Sequence, residues 1–141
     1  VTPLLRIPHP DGFIGHAMKS LDTGFSGFGE AYFTTVHHGH TKGWKRHEKM
    51  VLNLVVAVGD VTFYIHDQSS HKTDYITIGD SNYCRLTVPS GLCVAFVGAG
   101  ANLNMVLNIA SIPHDPQEST TFPLACFPMS GDYCENIANG C

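Results

Sequence analysis

The sequence predicts an all-β chain folded as a double-stranded β-helix, a jelly roll of two facing sheets. Three observations carry that prediction. From Glu30 onward, short runs rich in β-branched and aromatic residues recur at even spacing with turn residues between them. No stretch shows a capped helical stripe of apolar residues. About eight short antiparallel strands in roughly 110 residues must hide their edges, and a double-sheet jelly roll does this at that size.

Taken in chain order, the segment Phe13 to Leu21 has room for one or two helical turns before the strands begin. The runs are Ala31 to Val36, Trp44 to His47, Val51 to Val58, Val61 to Asp67, Asp74 to Ile78, Cys84 to Val88, Leu92 to Val97 and Leu103 to Ile109. Gly59-Asp60 reads as a tight hairpin turn, and Pro89-Ser90-Gly91 as a turn in which proline presets φ and glycine accepts a positive one. Val61, Phe63 and Ile65 alternate with Thr62, Tyr64 and His66, so one face of that strand belongs to the core and the other is wetter. After Pro116 the chain reads as irregular, with a short helix near Cys134 to Ala138. One domain is expected over residues 1–141, with its core at about 25–118. The flanking arm and tail carry Phe13, Phe25, Phe122, Leu124 and Phe127, too many apolar groups to stand in water. They are expected to pack outside the barrel or on a second subunit, and a homodimer is the expected assembly.

Composition narrows the function classes. With 43% hydrophobic and 14% charged residues, the chain is too apolar for a disordered segment. Its longest apolar stretch, Val51 to Val58, is interrupted by Asn53 and stops at Gly59, well short of the roughly 20 residues of a membrane-spanning helix. Val1 to Pro10 lacks the apolar run of a signal peptide, and the cytoplasm is the expected compartment. A net charge of −4 argues against nucleic acid and an anionic membrane as partners. Five cysteines, an odd number without a Cys-x-x-Cys pair, do not form the pattern of a disulfide framework or a zinc ribbon. Cys84 and Cys93 read as small buried hydrophobes, and Cys126, Cys134 and Cys141 fall in the tail.

Charge is concentrated at one place. Lys42, Lys45, Arg46 and Lys49 are four of the eight basic residues, and in a partly desolvated cleft such a cluster attracts phosphate. Strand alternation puts Lys45 and His47 on one face and Trp44 and Arg46 on the other. A cationic donor and a candidate proton acceptor then share a pocket. Glu30, Tyr32 and Thr34 likewise share a face of the preceding strand, and from there Glu30 could orient Lys45 or His47. Lys42 and Arg85 are the candidate phosphate clamps. His37, His38 and His40 read as solvated loop histidines.

Four segments together carry a resemblance: Gly27-Phe-Gly-Glu30-Ala-Tyr32, Lys42-Gly-Trp-Lys-Arg-His47, the apolar strand ending at Gly59-Asp60-Val61, and Pro89-Ser-Gly91. Over roughly residues 25–118 the chain resembles the cupin-type dTDP-4-dehydrorhamnose 3,5-epimerases and dTDP-sugar 3,4-ketoisomerases. That resemblance implies a jelly-roll dimer with a nucleotide-sugar site inside the barrel. The epimerase motif Arg-Gly-x-His falls on Lys42-Gly43-Trp44-Lys45, keeping a basic anchor but replacing the catalytic histidine with Lys45. The second histidine of the ketoisomerase motif Arg-Gly-x-His-x-His falls on His47 and is retained. A later family histidine falls on Val94, and the tyrosine that serves epimerases as an acid falls on Asn108.

Metal-dependent cupins would place ligands at Lys45, His47, Leu52 and Val94, of which only His47 can coordinate. No metal and no cofactor is therefore expected. The resulting assignment names Lys45, His47 and Tyr32 as catalytic, and Lys42, Glu30, Arg85 and Asn108 as substrate-binding. The expected activity is proton transfer on a dTDP-linked 4-keto-6-deoxy sugar in polysaccharide biosynthesis. The alternative is a non-catalytic nucleotide-sugar-binding cupin that has lost the epimerase residues, since a bare pocket would leave the same replacements.

Overall fold

The structure is a computed structural model that describes residues 1–133. Among the described residues thirteen strands run in chain order as β1 (Thr2–Pro3), β2 (Arg6–His9), β3 (Gly12–Gly15), β4 (Glu30–Val36), β5 (Thr41–His47), β6 (Leu52–Val58), β7 (Asp60–Asp67), β8 (Lys72–Gly79), β9 (Cys84–Val88), β10 (Cys93–Gly98), β11 (Asn104–Ala110), β12 (Ser119–Thr121) and β13 (Asp132–Tyr133). β4 to β11 are the eight runs expected from the sequence, shifted by a few residues at their ends. Between Phe13 and Leu21 there is no helix: the chain doubles back as the β2–β3 hairpin, pairing Ile7 with Ile14. The helix expected near Cys134 lies outside the described residues.

Two sheets face each other, ordered β1-β9-β6-β11-β4 and β12-β5-β10-β7-β8-β13. This is a jelly roll, and alternation explains its core. Leu52, Leu54 and Val56 of β6, Val61 and Phe63 of β7, and Leu86 and Val88 of β9 point inward and form one cluster with Ile76, Ile78 and Val106. Each sheet's outer face is also covered in part. Residues 17–24 lie across the first, where Asn53 donates to the Gly24 carbonyl at 3.1 Å and accepts from the Thr87 hydroxyl. That cover is why β6 is buried on both faces and why an asparagine can sit within it.

The segment after β11 forms a strap over the outer face of the second sheet. A short 3-10 turn (Pro116–Glu118), with Asp115 accepting from the Gln117 N–H at its start, leads into β12, which pairs with β5. Phe122, Phe127 and Met129 then pack on fully buried Trp44, whose indole N–H donates to the Leu124 carbonyl. β13 pairs in parallel with β8 at the far edge of the sheet. The strap brings distant residues to the β5 edge, and that placement builds the site.

Candidate active site

A cavity of about 260 Å³ opens between the two sheets. Its floor is apolar, made by Leu52, Leu54, Phe63, Val94, Phe96 and Val106, while Tyr32, Thr34, Lys42, Lys45, His47, Asn108 and Thr121 supply the polar groups. One wall comes from β5 and the other from β4 and β11, so the polar groups converge from opposite sheets.

Simple alternation does not put Lys42 and Lys45 on one face, since they are three residues apart. A bulge does. On β10, Val94 pairs with Lys45 and Phe96 with Lys42, so β5 spends an extra residue across that step. Gly43 takes it up with φ +113°, and a Cβ there would meet the Ala95 Cα and the Val94 carbonyl at 2.6 Å. The two ammonium groups therefore line the same cavity. Lys42 reaches across to donate to the Thr34 hydroxyl at 3.1 Å, and among the described residues no carboxylate lies within ion-pair distance of Lys42 or Lys45. Two uncompensated cations at a partly closed cleft are an anion site.

His47 is 6% exposed, and its Nδ1 is hydrogen-bonded to the Glu118 carboxyl. Burial pushes the Glu118 pKa upward, but the bond to His47 and the N–H groups of Lys49 and Met50, at 3.1 and 3.2 Å, outweigh it and hold the group below its ordinary range. An ionised carboxylate only accepts, so the shared proton sits on His47 Nδ1. The ring then keeps Nε2 as its acceptor. On the opposite wall Tyr32 and Asn108 face each other in register, and the Asn108 amide donates to the Tyr32 hydroxyl at 3.0 Å. Tyr32 is 42% exposed, whereas Asn108 is 2% exposed.

Of the seven expected site residues, the structure brings together Tyr32, Lys42, Lys45, His47 and Asn108. Arg85 is a correction. Because Cys84, Leu86 and Val88 face the core, Arg85 must face out of the sheet, where it is fully buried beneath the arm. There it donates to the Ala17 and Thr23 carbonyls and pairs with Asp22 at 3.0 Å, and it cannot reach a ligand in the barrel. Asp80 pairs with Arg6 at 2.7 Å. Glu30 is a second correction: it lies at the start of β4, outside the cavity lining, and Glu118 is the acid that orients His47. Glu118 and Thr121 were missed because nothing local marks them. Only the pairing of β12 with β5, Ser119 opposite His47 and Thr121 opposite Lys45, brings them to the site.

The four metal-ligand positions of cupins do converge here, since Lys45, His47, Leu52 and Val94 all line the cavity. They contain one imidazole and no carboxylate, which is not a donor set for a transition metal. Among the described residues no group of three or more His, Cys, Asp or Glu side chains is placed to hold a metal ion. No helix among them is long and apolar enough to cross a membrane.

No family model matches the sequence, and no curated protein does. Solved structures match well. The dTDP sugar isomerase from Desulfovibrio desulfuricans G20 is 31% identical, with a TM-score of 0.86 over 92% of this chain and 87% of that one. QdtA, a sugar 3,4-ketoisomerase from Thermoanaerobacterium thermosaccharolyticum solved with TDP, is 18% identical, with a TM-score of 0.72 over 84% of each chain. The RmlC epimerase of Mycobacterium tuberculosis is 15% identical, with a TM-score of 0.76 over 97% of this chain and 80% of that one. The last two likenesses speak to the fold, the cupin jelly roll. At the identity and mutual coverage of the first, the chain belongs to the dTDP-sugar isomerase family.

Proposed function

We propose that this protein binds a dTDP-linked 4-keto-6-deoxy sugar in the intersheet cavity and moves a proton between ring carbons, with 3,4-ketoisomerisation the favoured outcome. The observation that carries this reading is the buried His47–Glu118 pair, whose imidazole lines the same cavity as Lys42 and Lys45. Lys42 and Lys45 suit the diphosphate, and the apolar floor suits a deoxy sugar. A C–H beside a ketone is acidic only if a base stands within reach and the developing oxyanion is stabilised. His47 Nε2 takes the C3 proton, while Lys45 and the Tyr32 hydroxyl donate to the enediolate oxygen. Delivery of the proton to C4, with the O3 hydroxyl proton passing to O4, leaves a carbonyl at C3 and a hydroxyl at C4. Glu118 keeps the His47 ring in the accepting tautomer and stabilises the imidazolium formed.

The tyrosine that serves the resembled epimerases as an acid is replaced here by Asn108, an amide that cannot deliver a proton to carbon, and Tyr32 beside it is committed to the enediolate oxygen. This favours isomerisation. We extend the reading to a single-domain cytoplasmic homodimer serving polysaccharide biosynthesis; exposed Phe28 and Phe33 offer apolar surface for such pairing. Calorimetry with dTDP and dTDP-4-keto-6-deoxyglucose, run beside NMR detection of solvent deuterium entering the sugar, tests the proposal. Binding with deuterium uptake is expected. Binding without uptake would make the protein a sugar-nucleotide-binding module instead.

A further inference from the structure

Asn108 holds an unpaired polar atom in the wrong place for a merely structural residue. Its Nδ2 is committed to the Tyr32 hydroxyl, yet its Oδ1 is buried and has no partner among the described residues. Other buried asparagines of the same sheets do not behave so. Asn53 uses both ends of its amide, and Asn104 satisfies its amide with the N–H groups of Asp60 and Gly100 and the carbonyls of Val36, Gly100 and Asn102. Native folds seldom leave a buried acceptor empty, and when one lines a cavity the missing donor belongs to what fills it. Asn108 and its neighbour Val106 both line the cavity, opposite the wall that carries His47 and Lys45.

We propose that Asn108 is a specificity-determining residue whose Oδ1 accepts a hydrogen bond from a ring hydroxyl of the sugar, so that the site selects sugars that keep a hydroxyl next to the reacting carbons. This rests on the nucleotide-sugar reading above and names what that site discriminates. Because Nδ2 donates to the Tyr32 oxygen, the phenolic proton is left free for the substrate. One amide thus reads the sugar with one end and aims the Tyr32 donor with the other. A deoxy analogue would leave Oδ1 empty while still desolvating it, and a site built around a hydroxyl rejects ligands that lack it.

The test is equilibrium binding by calorimetry of dTDP, dTDP-glucose, and its 2-deoxy and 3-deoxy analogues to the full chain, which needs no turnover. Wild-type protein is expected to bind at least one deoxy analogue more weakly than dTDP-glucose by on the order of 10- to 100-fold. Asn108→Leu should erase that difference, and Asn108→Asp, which keeps an acceptor oxygen, should retain it. Equal wild-type affinity for the hydroxylated and both deoxy sugars would overturn the inference even if the Leu variant did not fold. Failure of dTDP and all its sugars to bind wild-type protein would instead overturn the nucleotide-sugar reading, and this inference with it.

Discussion

Glu118 reaches His47 from 71 positions further along the chain and hydrogen-bonds its Nδ1, with both side chains almost fully buried. The contact makes the strap part of the proposed site. Without it the imidazole could present either nitrogen to the cavity, and the reactive tautomer would be diluted.

Replacing Glu118 by Gln keeps the size and one acceptor but removes the charge that holds the proton on Nδ1. Deuterium uptake into dTDP-4-keto-6-deoxyglucose should fall by about 10³-fold, by analogy with other histidine–carboxylate pairs. The dissociation constant for dTDP, measured by calorimetry, should change little. An equal loss of both would point to collapse of the strap.

Acid should uncouple the pair. The Glu118 pKa lies below its ordinary value of 4.5 because the His47 bond and the two backbone N–H groups outweigh the cost of burial. A depressed pKa means that the folded protein holds the carboxylate better than the unfolded chain does. This stabilisation is fully present above the unfolded value and is lost as pH falls through the folded one. The difference in melting temperature between wild type and Glu118→Gln should therefore be constant at neutral pH and shrink below about pH 4.5. Thermal melts across that range check it.

Gly43→Ala should damage fold and site together. The new Cβ would lie 2.6 Å from backbone atoms of β10, at a φ that disfavours side chains. We expect a loss of roughly 1–3 kcal/mol or more by chemical denaturation. Weaker dTDP binding should accompany it, because the bulge is what aims Lys42 and Lys45 into one cavity.

Arg85→Leu separates stability from binding. It removes the hydrogen bonds to the part-buried Ala17 and Thr23 carbonyls, a net loss of about 0.5–1.5 kcal/mol each. Lys42→Ala should do the opposite, leaving denaturation nearly unchanged while weakening dTDP several-fold. Titration calorimetry on both variants tells whether Arg85 has any part in the site.

The eight central strands were legible because each follows from local chemistry: β-branched runs, a Gly59-Asp60 hairpin and alternating faces. The pairing of Lys45 with His47 followed from the same two-residue period. Arg85 was misplaced for a related reason. Alternation tells which residues share a face but not which face looks inward, and a fully buried arginine under an arm has the sequence signature of an exposed one. Glu118 was illegible because its role depends on β12 adding to the edge of β5, a long-range pairing that no local pattern encodes. The β2–β3 hairpin was missed since its four-residue strands are too short to show a period.

The central claim is that His47 is the base, and the most direct measurement is NMR of solvent deuterium entering C3 of dTDP-4-keto-6-deoxyglucose with wild-type protein and with His47→Asn. The account predicts uptake with the wild type, at least about 10³-fold slower uptake with the variant, and undiminished dTDP binding in both. Wild-type rates of uptake in His47→Asn would contradict it.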